Sequence, residues 1–452
     1  MGRKPSDGAR PHPRPRRRSV DDTRRRALEA LLAVHAGAGA QAVIREALDR
    51  QPALAGPDRG LLTELVYSTL RRQRSLDAWI AASSSRGLFA LEAPVLAALR
   101  LGALQIADLD RIPDHAAVNA TVDSARELIG ERAVGFVHAI LRQLGRRNAA
   151  GDGPGQRDLP DWIDYRIVRL ADVVGVDADA LCAAFRGPAP LHVHGLADVA
   201  DLVDTLQADQ VVARPIAGVP RSAEIMEGQF FDSRAFAERQ VLAQDGGSAA
   251  VAEWLGARHG EQVVEVGAGR GAKSLVLAAA GALVTAIDRD ADRLAEAMSL
   301  AEQAGHPLHD RICCDAAVDI PSADGSFDRA LLDAPCSGLG TLRRRPEIRH
   351  RRRATDLVRA AGTQAALLEQ TARLVRVGGV LVYAVCSFAE EEGVMIVDDF
   401  LASHPEFARA PREEDGGLDW ATPWLDTRGD LRTHPLIDDM DAFYAARLQR
   451  SA

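Results

Sequence analysis

"VVEVGAGRGAKS", residues 263–274, runs from a β-branched strand through three alternating glycines into the start of a helix. Gly267, Gly269 and Gly271 tolerate positive φ and leave the main chain bare for a ligand to approach. The spacing is G-x-G-x-G, not the G-x-G-x-x-G of the dinucleotide fingerprint. Working outward, "LVTAID" (283–288), "DRALLDAP" (328–335) and "GVLVYAVCS" (379–387) repeat the apolar strand, with helical stretches between them. That alternation predicts an α/β fold with a doubly wound sheet over about 244–450.

Acids follow the strands. Asp288 ends the strand after the glycine loop, where a carboxylate can accept from a ribose diol. Asp315 follows the next apolar run, where an adenine amino group could be met, and Asp333 ends "RALLD". These features fall at the C-terminal ends of successive strands, where open α/β sheets bind ligands. Without a Walker pattern, they fit S-adenosylmethionine better than NAD or ATP. The residues expected around it are Gly267, Gly269 and Gly271 with Asp288, Asp315 and Asp333; Glu265 precedes the loop.

Toward the N-terminus the pattern changes. Residues 21–148 read as five to seven amphipathic helices, with Leu28, Leu31 and Leu32 on one face and Leu96, Leu99 and Ile106 on another. "NAAGDGPGQRDLP" breaks the pattern, so 149–160 reads as a linker. Residues 161–243 read as a small α/β unit, with "PLHVHGL" and "QVVARPI" as short strands. The 452 residues carry a net charge of −9, yet residues 1–20 hold seven Arg/Lys against one Asp. That segment is expected to be a disordered basic tail or an arm that finds phosphates.

No apolar run reaches the ~18 residues that a membrane span needs. Five cysteines without zinc spacing predict a reducing, cytoplasmic setting and no metal. His115, His138 and His434 form no ligand pattern.

Two cysteines lie just past strand ends on the rim of the expected cofactor site: Cys336 in "LLDAPCSG" (331–338) and Cys386 in "LVYAVCSFAEEEG" (381–393). Cysteine is often only a small buried hydrophobe. Here a chemical reading competes with it. Carbon 5 of cytosine is a poor nucleophile, and a thiolate adding to carbon 6 makes the ring an enamine that can attack a sulfonium methyl.

"DAPCSGLGTLRRRPEIRHRR" (333–352), together with the Cys386 strand, resembles the RNA cytosine-5 methyltransferases, specifically the bacterial ribosomal RNA enzymes of the Sun (RsmB) family. "LLTELVYSTLRRQRSLD", "LRLGALQIADLDRIPDHAAVNATVDSAR" and "GFVHAILRQL" resemble that family's NusB-like RNA-binding domain. "QDGGS" (244–248) matches its entry to the catalytic domain, and "LRTHPLIDDMDAFYAARL" its closing hairpin. The resemblance covers about 21–450. It implies a Rossmann-like class I methyltransferase sheet that methylates carbon 5 of a cytosine in 16S ribosomal RNA, with S-adenosylmethionine as cofactor and RNA as partner.

Residue by residue, the resemblance implies that Cys386 is the nucleophile and that Cys336 promotes product release. It also implies that Asp333 hydrogen-bonds the cytosine edge and helps protonate ring nitrogen 3, and that Gly267, Ala268, Gly269, Arg270, Gly271, Ala272 and Lys273 hold S-adenosylmethionine with Asp288, Asp315 and Asp333; Lys273 matches the lysine after the family's cofactor loop. The chain departs from the pattern at "GAGRGAKS", at Val385 in place of threonine, and at Ala442 in place of glycine. "RRRPEIRHRRR" (343–353) is either a solvated face or a phosphate-facing strip, with Arg343, Arg344, Arg345 and Arg349 as the expected RNA contacts. The rival readings are the same chemistry on transfer RNA and a non-catalytic ribosome-assembly protein.

Overall fold

The computed structural model describes residues 16–50, 56–109, 114–156, 158–196, 199–410, 417–437 and 439–451. The chain divides into two compact units, Met1–Pro160 with Arg345–Glu347, and Asp161–Arg344 with Ile348–Ala452.

The first unit is helical. Among the described residues it holds seven α-helices: Arg16–His35, Ala40–Asp49, Gly56–Arg71, Gln73–Ala81, Ala93–Asp108, Asp114–Ile129 and Glu131–Ala149. The apolar stripes meet in one core that includes Leu28, Leu31, Leu62, Leu99, Ile106 and Leu141. The first helix starts at Arg16, inside the segment expected to be a tail. After Pro15 the sequence contains no glycine or proline to stop a helix until Gly37. Most of the basic tail, residues 1–15, lies outside the described residues. The stretch expected to be a linker is pinned to this unit: Trp79 Nε1 donates to the Asp152 carbonyl at 2.8 Å, and Leu159 is buried.

The second unit carries two sheets. The smaller is antiparallel, in the order β2-β3-β1-β4, from β1 (His192–Gly195), β2 (Val212–Pro215), β3 (Ser222–Glu227) and β4 (Val241–Ala243). The larger is built from β5 (Gln262–Val266), β6 (Leu283–Asp288), β7 (Asp310–Cys313), β8 (Phe327–Asp333), β9 (Val375–Val385), β10 (Phe407–Arg409), β11 (Leu431–Arg432) and β12 (Tyr444–Arg450). Its order is β10-β12-β9-β8-β5-β6-β7, with β11 beside β12. The five strands from β9 to β7 are parallel, and β12 runs antiparallel to β9, β10 and β11.

Parallel strands covered on both faces read as near-continuous apolar runs. Val263, Val284, Leu331 and Val382 pack into one core, while Val264, Ile287, Leu332 and Leu381 pack into the other. The chain leaves β5 for β6 on one side, and β8 later pairs on its other side. That reversal opens a crevice at the C-terminal ends of β5 and β8, the expected place for a ligand. No helix among the described residues is long and apolar enough to cross a membrane.

Candidate active site

The glycine loop follows β5 and leads into the helix Ala272–Ala279. Gly267, Gly269 and Gly271 have φ of 82°, 54° and 80°. At Gly267 the absence of a side chain is compulsory, because a Cβ would lie 2.3 Å from the Asp333 carbonyl oxygen. The Gly267 and Ala268 N–H groups donate to the Ile287 carbonyl at 2.8 and 3.0 Å. Asp288 fixes the loop further: its carboxylate accepts from Gly269 N–H at 2.9 Å and Asp290 N–H at 3.0 Å. Arg270 points elsewhere, to an exposed ion pair with Glu296 at 2.8 Å. Asp315 is exposed after β7 and accepts from Ala317 N–H at 3.2 Å.

These residues fit an adenosyl sulfonium cofactor. At Gly269 a Cβ would meet nothing closer than 4.0 Å, so the loop leaves an open cradle there. Carboxylates stand at the ends of β6, β7 and β8 around it. We expect Gly267→Ala to raise the cofactor Kd by about tenfold or more. A left-handed φ in a residue with Cβ costs about 1–3 kcal/mol, and the clash with the Asp333 carbonyl adds to it. Isothermal titration checks this.

Beneath the cradle lies a buried charge cluster. Lys273 Nζ donates to Asp333 Oδ2 at 2.6 Å and sits 5.7 Å from the centre of the Phe443 ring. Burial disfavours the ammonium, but the Asp333 and Glu265 carboxyls outweigh that and Cys386 adds to them, so the Lys273 pKa is raised. Glu265, hydrogen-bonded by Ser274, is pushed up to about 8 by burial, so it holds a proton at neutral pH.

Cys386 follows β9 and Cys336 follows β8, neighbouring strands in parallel register, so the two loops emerge side by side. Their sulfurs are 3.2 Å apart, and both residues are half-buried. Gly340 N–H donates to the Cys386 carbonyl at 3.0 Å, and Ala334 N–H to the Ala384 carbonyl at 2.9 Å. The Cys336 thiol is pushed well above its usual range, by its hydrogen bond to Cys386, by burial, and by the charges of Cys386 and Glu392. Val385, the departure beside Cys386, packs in the core on the opposite face of the sheet from it. A hydroxyl there would point away from the thiol.

The arginine run is corrected by the structure. Arg343 and Arg349 are buried, at 4% and 1% exposure. Arg343 donates to the carbonyls of Pro188 and Asp439, and Arg349 to those of Phe185 and Leu342. Arg344 bridges Asp245 at 2.7 Å and Asp441 at 3.0 Å, tying together the "QDGGS" entry, the arginine run and the closing hairpin. These three guanidinium groups serve the fold, and Arg345 is the exposed member of the four. Arg344→Ala is expected to cost about 3 kcal/mol, because it leaves two buried carboxylates facing each other without their cation. Arg345→Ala should stay within about 0.5 kcal/mol. Urea unfolding of the two variants checks this.

The sequence reading missed Glu392. It lies at the end of an acidic run whose other members, Glu390 and Glu391, pair with Arg169 and Arg166. Glu392 instead is fully buried and accepts from Ser337 and Ser387. The signal available was the repeated Cys-Ser dipeptide at 336–337 and 386–387.

Comparisons with known proteins agree with this geometry. The family model described as 16S rRNA methyltransferase RsmB/F matches residues 252–449, and the NusB family model matches residues 21–146. The chain is 36% identical to ribosomal RNA small subunit methyltransferase B of Thermus thermophilus, over 94% of this chain and 96% of that protein. It is 28% identical to the probable ribosomal RNA small subunit methyltransferase B of Bacillus subtilis, over 84% and 88%. Among solved structures, PH0851 shares the fold with a TM-score of 0.77 at 24% identity, covering 95% of this chain and 99% of that one. Glycine cradle, strand-end acids, paired cysteines and helical first unit thus converge, and the chain belongs to the RsmB/F family of S-adenosylmethionine-dependent 16S ribosomal RNA methyltransferases.

Proposed function

We propose that this protein methylates carbon 5 of a cytosine in small-subunit ribosomal RNA, through a transient covalent bond from Cys386 to carbon 6 of the base. The observation that carries the reading is the 3.2 Å approach of two sulfurs carried on the loops after neighbouring parallel strands. Of the two, Cys386 is the sulfur within electrostatic reach of Lys273, which in turn holds Asp333, and we assign the attack to it.

The cofactor, when bound, supplies a methyl group on a positively charged sulfur. Gly267–Lys273 would cradle it, with Asp288 for the ribose diol and Asp315 for the adenine amino group. Everything else falls to the chain's own side chains. The target base must leave its stack to reach sulfurs at the end of a sheet. Asp333, held by Lys273, would bond the amino and ring-nitrogen edge of cytosine and help protonate ring nitrogen 3. The Cys386 proton passes by way of Asp333 to ring nitrogen 3, the sulfur forms a bond to carbon 6, and the electron pair of the 5,6 double bond lets carbon 5 take the methyl group. Loss of the carbon 5 proton to solvent water then breaks the carbon–sulfur bond, ring nitrogen 3 returns its proton by way of Asp333 to the departing Cys386 sulfur, and Cys336 would assist that departure. Splitting one hard substitution into addition and elimination is the gain from the covalent step.

RNA is the partner, Arg345 remains a proposed phosphate contact, and a cytoplasmic site of action follows from that substrate. Bisulfite sequencing of total RNA from cells with and without the protein tests the reading. One methylated cytosine in small-subunit ribosomal RNA should disappear with the protein. A loss confined to transfer RNA would refute the substrate, and no loss at any cytosine would refute the reaction.

A further inference from the structure

The loops that carry the two cysteines converge on one carboxylate. Ser337 follows Cys336, Ser387 follows Cys386, and both serines are buried. Glu392, at 0% exposure, accepts from the Ser337 N–H at 2.6 Å, the Ser337 hydroxyl at 2.5 Å and the Ser387 hydroxyl at 2.6 Å. Gln364 adds a longer contact at 3.4 Å and also donates to the carbonyl of Pro335, the residue before Cys336, at 3.0 Å.

The direction of these bonds follows from counting hydrogens. Each serine hydroxyl has one to donate. Leu339 N–H donates to Ser337 Oγ at 3.4 Å, and Ala389 N–H to Ser387 Oγ at 3.2 Å. Both hydroxyl hydrogens are therefore free to point at the carboxylate, which acts only as an acceptor. A buried carboxylate is costly without its donors, so it fixes the groups that satisfy it. Its own main chain is held as well, since the Tyr383 hydroxyl donates to the Glu392 carbonyl at 2.5 Å.

We propose that Glu392 is a positioning residue: its carboxylate clasps the loops behind both cysteines and holds the two sulfurs in their 3.2 Å approach. The proposal rests on the two-cysteine reading above and adds the group that maintains it. Glu392 does not touch the glycine cradle. Its charge also helps keep the proton on Cys336, behind the larger contributions of the Cys386 hydrogen bond and burial.

Glu392→Gln keeps the shape, removes the charge and sets an amide N–H₂ against a serine hydrogen. Two quantities are read: methyl transfer, and competitive alkylation of the two thiols by iodoacetamide, measured by peptide mass spectrometry. We expect kcat to fall about 10- to 100-fold, since a misplacement of about 1 Å can cost on the order of 100-fold. The KM for S-adenosylmethionine should stay within about twofold, because this binding does not use Glu392. The preference for alkylating Cys386 over Cys336 should fall about fivefold, because the less protected Cys336 thiol reacts as its thiolate fraction rises.

Ser387→Ala removes one of the clasp's bonds and should shift both quantities the same way by less. It carries the test by the same criteria if Glu392→Gln does not fold. A folded variant with unchanged kcat, or with reduced kcat and an unchanged alkylation preference, would overturn the positioning role. Cys386→Ser in the same assay separates the two claims. Turnover by Cys386→Ser would remove the two-cysteine reading itself. If it is inactive, the clasp alone stands or falls by the alkylation result.

Discussion

Cys386→Ser should lose methyl transfer by at least about 1,000-fold, roughly 4 kcal/mol of barrier, while binding S-adenosylmethionine within about twofold of the unaltered protein. A thiol is a few per cent ionised near neutral pH and intrinsically very nucleophilic, whereas a serine hydroxyl needs an adjacent general base. The neighbours that the structure places around position 386 cannot serve as one. The Cys336 sulfur is only a weak base, and Lys273 is a charged ammonium held by Asp333, with no lone pair to take a proton. The cofactor cradle should be untouched, because its glycines and Asp288 are fixed to β6 and not to the Cys386 loop. Single-turnover transfer of labelled methyl, beside isothermal titration of the cofactor, measures both quantities. Near-normal turnover in the variant would remove Cys386 from the reaction.

Much of this arrangement was legible in the sequence because local chemistry dictated it. The β5 run, the positive-φ glycines and the strand-end acids all follow from short-range rules, and the parallel sheet places them together. Strand alternation alone brought Cys336 and Cys386 to adjacent loops, since β8 and β9 are neighbours. The helical first unit was equally readable, because Leu28, Leu99 and Ile106 repeat at helical spacing and are buried as that spacing requires.

What the sequence concealed depends on contacts distant along the chain. "RRRPEIRHRRR" has the composition of a phosphate-binding strip, but composition does not record partners. Arg344 meets carboxylates at 245 and 441, and Arg349 reaches a carbonyl at 185. The same limit hid Glu392. Nothing in three consecutive glutamates marks the third from the others, yet the turn directs it inward to two serines separated by 50 residues. The start of the first helix was misplaced for a different reason: net positive charge suggested a tail, although arginine is a good helix former.

The most direct test separates the two sulfurs. Cys336→Ala keeps the attacking thiol, so Cys386 should still add to carbon 6 and carbon 5 should still take the methyl group. The step that suffers is departure, because the thiol 3.2 Å from the attacking sulfur is gone. A methylated base should therefore remain bonded to Cys386. On a denaturing gel, Cys336→Ala incubated with small-subunit ribosomal RNA and S-adenosylmethionine should give a slow-migrating protein–RNA band. The band should require both partners and should be absent from the double variant that also lacks Cys386. The predicted result is trapping by Cys336→Ala and none by Cys386→Ala. Trapping by Cys386→Ala with an inert Cys336→Ala would contradict the assignment and reverse the roles of the two cysteines.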